Sequence, residues 1–164
     1  MKLSLGFSRA QIILHWATAI LVIPIWLLHD GIKNTMRALR HSEVPQPSDA
    51  LITQFHVWGG IVVLALVCWR LYLRFKRGAP EAPESESAFL KFVASATHVL
   101  LYALLVYLPL TGILAYFGGI SLAGDLHGLA KLPILLIVIL HAAAALYHHF
   151  VLKTDVLVRM IKPR

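Results

Sequence analysis

Cysteine is nearly absent. Cys68 is the only one in a chain of 164 residues. That excludes an intrachain disulfide, and with no C-x-x-C-H run it excludes covalent haem attachment of that type. Acidic residues are scarce as well: eight Asp and Glu stand against fifteen Lys and Arg, for a net charge of +7. Such a balance can signal a nucleic-acid partner. Here the basic residues flank apolar segments instead, which argues for lipid as neighbour and against nucleic acid. There is no internal repeat and no glycine-rich phosphate loop. Nothing divides the chain, so residues 1–164 read as a single domain.

Apolar residues are plentiful. They make up 59% of the chain, with a mean hydropathy of +0.74, against about 45–50% in an ordinary soluble domain. The excess falls in four blocks, at 10–28, 52–73, 92–117 and 126–152. Each is near the roughly 20 residues that cross a bilayer as a helix. Lipid cannot satisfy backbone N–H and C=O groups, so each crossing must be helical. The expected fold is all-α, an integral membrane four-helix bundle. The first block is too long for a cleavable signal peptide, lacks a small-residue cleavage site, and holds His15-Trp16 in its first turns.

Charge sets the expected topology. Lys2, Arg9, Arg70, Arg74, Lys76, Arg77, Lys91, Lys153, Arg159, Lys162 and Arg164 fall on one side, and Lys33, Arg37, Arg40 and Lys131 on the other. The richer side should be cytoplasmic, with both termini there. On the outer side, 31–41 reads as a short interfacial helix with one basic face. The outer connection 118–125 is short and glycine-rich, so segments three and four should be antiparallel neighbours. Inside, 78–87 is a flexible Pro/Glu/Ser linker. Pro109 is followed by Thr111 and Gly112, which can supply a replacement hydrogen bond and close packing, so segment three should kink. Gly59-Gly60, one turn after His56, leaves room for a flat group or for close helix packing.

Histidine carries the functional signal. Polar side chains in hydrocarbon are costly, so intramembrane histidines default to a functional reading. His127 and His141 lie fourteen residues apart in one segment, about four turns and roughly 21 Å of rise. That spacing suits two flat cofactors stacked across a bilayer. His56 and His127 have matching depths near the outer end. His15 lies roughly 9 Å into segment one from the inner end, and His98 is similarly deep in segment three. Depth alone does not choose between His141 and His148 as the partner of His15. Spacing does: His141 and His148 are about 10 Å apart along one helix, and two macrocycles held there would collide. The resulting assignment is His56 with His127 on an outer haem and His15 with His141 on an inner one. Bis-imidazole ligation saturates iron and favours electron transfer. No acidic or cysteine ligands accompany these residues, which disfavours tetrahedral zinc. His98 and His148 remain near the inner edge, suited to bind a quinone head group or exchange protons with it. Arg70 is placed to pair with a haem propionate. His29 and His41 read as solvated.

These residues resemble the bacterial cytochrome b561 family, and within it the superoxide oxidase type. The likeness is carried by Phe7-Ser8-Arg9-Ala10-Gln11 leading to His15-Trp16, by His56 with Arg70, and by Leu101-Tyr102 through Leu108-Pro109 to Gly112. Its most specific stretch is His141-Ala142-Ala143-Ala144-Ala145-Leu146-Tyr147-His148-His149-Phe150, followed by a tail with Leu157, Arg159, Met160 and Pro163. The connection before His127 is shorter than in that type. The resemblance implies two noncovalent bis-histidine haem b groups on the four histidines assigned above, and quinone by His98 and His148. It also implies oxidation of superoxide to dioxygen at the periplasmic face, with ubiquinone reduced near the cytoplasmic face. Lys33, Arg37, Arg40 and Lys131 would steer the anion. The alternative expectation is a cytochrome subunit relaying electrons between a periplasmic dehydrogenase- or hydrogenase-like partner and quinone. Either reading is compatible with an oligomer.

Overall fold

The computed structural model describes residues 6–80, 82–83 and 86–163. Lys2 and Arg164, counted above in the charge balance, lie outside the described residues. The elements are α1 (Arg9–Leu27), α2 (Asp30–Arg40), α3 (Pro47–Arg77), α4 (Ala88–Tyr116), α5 (Ser121–Leu129), α6 (Lys131–Phe150) and a 3-10 turn at Val158–Met160. Four stretches are long and apolar enough to span a membrane: α1, α3, α4, and α5 with α6 taken together. An even number of crossings returns both ends of the chain to one face, called here the terminal face. Large apolar side chains such as Ile20, Val62, Leu100 and Leu140 point outward, as lipid-facing residues should.

Local chemistry sets the ends of these helices. Ser8 caps α1 by accepting from the Gln11 backbone N–H (3.3 Å), and Gln11 Oε1 accepts from the Ser8 N–H (3.0 Å), a reciprocal capping box. Gln11 also donates from Nε2 to the Gly78 carbonyl (3.1 Å), which ties the start of α1 to the end of α3. Gly78 has φ 76°, a left-handed conformation that glycine adopts without strain as it ends α3. Pro47 sits at the first position of α3, where a missing N–H costs nothing. Ser87 caps α4 by accepting from Leu90 N–H at 3.3 Å.

Three features depart from the sequence expectations. The helices run past the predicted blocks: α3 spans 31 residues, Pro47–Arg77, against the expected 52–73. The fourth block crosses as one span, Ser121–Phe150, but it is interrupted: α5 ends at Leu129 and α6 begins at Lys131, with Ala130 between them still in helical conformation. Pro133 in the first turn of α6 has no N–H to offer Leu129, so the hydrogen-bond ladder is broken there. Finally, Thr111 Oγ1 donates to the carbonyls of Tyr107 (2.9 Å) and Leu108 (3.0 Å). It therefore does not replace the bond that Pro109 cannot make to Leu105.

Helix packing follows the order α1 on α3, α3 on α4, and α4 on α5, with α2 lying on α3 and α6 chiefly on α4. A Cβ on Gly59 would come within 2.9 Å of Ile25 Cδ1, so that glycine serves the close approach of α1 and α3. A Cβ on Gly60 would meet nothing within 4 Å. The two adjacent glycines thus divide between the two roles weighed for them, packing at Gly59 and open space at Gly60.

The expected interfacial helix exists as α2. Its Gly31 and Thr35 are buried against α3. Thr53 Oγ1 donates to the Asp49 carbonyl (2.8 Å) and lies 2.9 Å from Thr35 Oγ1. At 100° per residue, Lys33, Arg37 and Arg40 fall on roughly the opposite side of the helix, and all three are exposed.

Candidate functional site

Away from the terminal face, His56 of α3 and His127 of α5 face one another, with ring centres 5.9 Å apart and planes at 64°. The backbone seats His127. Its Nδ1–H donates to the Leu108 carbonyl (2.8 Å), with Thr111 Oγ1 3.4 Å from the same nitrogen. The lone pair is therefore on Nε2, the arrangement a metal-ligating histidine adopts when its other nitrogen is oriented by a carbonyl. Gly112 makes the seat possible, since a Cβ there would lie 3.3 Å from Cε1 and Nδ1 of the ring. Across from it, Nδ1 of His56 is buried with no hydrogen-bond partner.

Toward the terminal face, His15 of α1 and His141 of α6 stand 6.2 Å apart, with planes at 56°. His98 of α4 lies edge-on to His141 at 5.3 Å, so three rings from three helices converge. Its Nδ1–H donates to the Ala94 carbonyl at 2.8 Å, which leaves Nε2 as its acceptor. Arg70 donates from its terminal guanidinium nitrogen to Nδ1 of His15 (2.9 Å). The same guanidinium lies 5.4 Å above the Tyr102 ring. Among the described residues Arg70 has no carboxylate partner, although a cation half inside a membrane bundle ordinarily has one. Trp16 stacks edge-on to His15 at 5.3 Å and donates from its indole nitrogen to the Met160 carbonyl (2.7 Å), drawing the C-terminal tail across the end of α1.

Both pair separations suit a metal held between two rings. A metal–imidazole bond of about 2 Å, plus roughly 1 Å from the nitrogen to the ring centre on each side, gives about 6 Å between centres. Two donors do not cage a bare ion. Among the described residues no cluster of three His, Cys, Asp or Glu side chains does so either. A group that brings its own equatorial ligands fits this donor set, and the orphaned Nδ1 of His56 and the open space at Gly60 fit it too.

The remaining site residues fall into two places. His148 is not open at the inner edge: Nε2 lies 2.9 Å from Glu86 Oε1 and Nδ1 lies 3.1 Å from Thr154 Oγ1. Lys33 pairs with Asp30 at 3.3 Å, and this hydrogen bond holds the Asp30 carboxyl below the usual range. Lys131 reaches Nε2 of His29 and lies 5.3 Å over Trp26. His29 donates from Nδ1 to the Trp26 carbonyl (3.0 Å), and its Nε2 is 3.0 Å from Asp30. The expectation that His29 is merely solvated is thus corrected: its side chain is 20% exposed and bonded on both nitrogens. Its place directly after a long apolar run hid the partners, which come from α2 and from the start of α6. Sequence reasoning also missed Glu86 and Thr154, which sit in a polar linker and a tail without periodicity.

Fold and site together define a membrane-spanning helical bundle with opposed histidine pairs at two depths. The family model for prokaryotic cytochrome b561 matches residues 6–163. Over 159 residues the chain is 35% identical to "Cytochrome b562" of Cereibacter sphaeroides, covering 97% of each. It is 29% identical to "Cytochrome b561 homolog 1" of Escherichia coli K12, covering 96% of this chain and 98% of that one. It is 28% identical to "Probable superoxide oxidase CybB" of Yersinia pestis, covering 94% and 95%. The chain belongs to the prokaryotic cytochrome b561 family. It is accordingly a bacterial multi-pass membrane cytochrome b, an oxidoreductase-type electron carrier that uses haem b.

Proposed function

We propose that this cytochrome takes electrons from superoxide at the periplasmic face, releasing dioxygen, and delivers them to ubiquinone near the cytoplasmic face, where both termini lie. The observation that carries the transmembrane relay is the presence of two histidine pairs, at 5.9 and 6.2 Å, one toward each face. His56 and His127 would hold one haem b, and His15 and His141 the other. Bound there, the haems supply one-electron chemistry. The chain supplies position and charge. The Leu108 carbonyl and Gly112 fix the ring of His127. Arg70, a cation without a carboxylate, is suited to a haem propionate. Lys131, beside His29, supplies positive charge on the outer side that attracts an anion. His98 and His148 lie on the side assigned to ubiquinone. The superoxide assignment draws support from the Yersinia relative's name and from these outer cations.

The test mixes purified protein with a superoxide source and follows the haem spectrum, with and without ubiquinone. Rapid haem reduction, reversed by ubiquinone, is expected. A spectrum that stays oxidised while dithionite still reduces it would rule out superoxide as donor. The exposed stripe Lys33, Arg37 and Arg40 favours a second reading for that case. It faces away from the buried side of α2 and suits an acidic surface on a periplasmic dehydrogenase- or hydrogenase-like protein, whose co-purification would establish it.

The seat of His127 gives a further prediction. Gly112→Val would push branched carbons into a ring already 3.3 Å from the Cβ position. The variant should keep its helical content and the inner haem but bind the outer haem about 10- to 100-fold more weakly, measurable by haem titration.

A further inference from the structure

Among the acidic residues that the proposed mechanism leaves unused, Glu86 stands out by a buried side chain. Its side chain is 7% exposed, and Oε1 lies 2.9 Å from Nε2 of His148. A linker carboxylate at a membrane surface ordinarily stays in water, because burying its charge is costly unless it is paired. Thr154 Oγ1 lies 3.1 Å from Nδ1 of His148 and 3.3 Å from the His148 carbonyl, which also accepts from the Thr154 N–H (2.9 Å). A hydroxyl has one hydrogen and two lone pairs, so it can meet Nδ1 as acceptor or as donor. His148 therefore bridges Thr154 and Glu86 in either tautomer. With the hydrogen on Nδ1, Nε2 accepts from a protonated Glu86; with it on Nε2, the ring donates to the carboxylate, 2.9 Å away. Beside Thr154 on the tail, Asp155 is committed to Arg159 at 2.7 Å. Among the described residues Glu86 is thus the acid that reaches His148, and the residues that follow it, Ser87 to Leu90, are exposed.

We propose that Glu86 relays protons from water to His148 for quinone reduction, an inference that rests on the reading that ubiquinone is reduced beside His148. Each ubiquinone takes two electrons and two protons to become ubiquinol. Two superoxide anions supply the electrons and leave as dioxygen at the other face. The protons come from water at the linker. A quinone oxygen that takes the place of the Thr154 hydroxyl receives a hydrogen from Nδ1. Nε2 takes the proton of the Glu86 carboxyl, so the ring stays neutral, and water reprotonates the carboxylate. This passes one of the two protons; the ring, left with its hydrogen on Nε2, exchanges tautomer with water before it passes the second. Glu86 acts through His148 and does not touch the quinone.

The test uses the haem-loaded protein and Glu86→Gln, which keeps the size and a hydrogen bond but has no acid proton. Haem content and reduction by dithionite should match the wild type. Reoxidation by a short-chain ubiquinone should slow on the order of tenfold or more, and the deficit should grow as the pH rises. An infrared difference spectrum of quinone reduction should contain a carboxyl band that Glu86→Gln lacks. Wild-type rates at every pH with the band retained would overturn the relay while leaving the quinone reading intact. A wild-type protein that ubiquinone fails to reoxidise would remove both. If Glu86→Gln does not assemble, Glu86→Asp carries the test: its band and pH profile should shift from those of the wild type, and unshifted ones overturn the proposal.

Discussion

His127→Ala should leave one haem per chain, where the proposed pairing gives the wild type two. His127 is the ring opposite His56, at 5.9 Å. Among the described residues the other membrane histidines in contact with a second histidine ring, His15, His98 and His141, gather at the second site. With His127 gone, His56 keeps a buried Nδ1 without a partner and a metal would lose one of its two protein ligands. The inner pair should survive, because His141 belongs to α6, which starts beyond the break at Ala130. The measurement is extracted haem per mole of protein, with a low-temperature spectrum from which one component vanishes. Retention of both haems would give the outer ligand to another residue. Loss of both would mean that His127 holds the bundle together.

The second large effect is expected at His148. His148→Ala should keep both haems and their reduction by dithionite, yet slow reoxidation by ubiquinone by about 10²-fold or more. The substitution also strands Glu86, whose buried side chain loses its 2.9 Å partner. A stability loss of about 1–3 kcal/mol should accompany it, seen as a lower midpoint in thermal unfolding followed by haem absorbance. Departure of a haem from His148→Ala would instead make His148 a ligand and undo the pairing of His15 with His141.

Much of this architecture is legible in the residues. Hydropathy alone marks the four crossings, because lipid demands long apolar helices. Ser8 and Gln11 announce the start of α1 by their three-residue spacing. The depths of His56 and His127, and of His15 and His141, follow from counting residues at a fixed rise, and in the structure those rings do face one another. Other features depend on contacts that no local pattern encodes. Glu86 sits among prolines and serines that read as solvated linker, and only the return of the chain through α4 to α6 brings it to His148. His29 meets Lys131 across 102 positions of sequence. The break at Ala130 hides in a smooth apolar run, where Pro133 was its one sign. His98 was placed near the inner edge, but ring contact with His141 depends on how α4 rotates against α6, and periodicity in a uniformly apolar helix does not set that rotation.

That break has a consequence for how the two ends of the molecule can diverge. α5 is moored to α4 by the seat under His127, whereas α6 is tied at its far end by Glu86 and Thr154. The chain stays helical through Ala130 (φ −75°, ψ −10°), whose carbonyl accepts from Ile134 N–H at 3.1 Å. Only the rung that Pro133 cannot make to Leu129 is missing, so the span remains one rod that can bend at that point. The His127 end and the His141 end can thus change their mutual angle without parting.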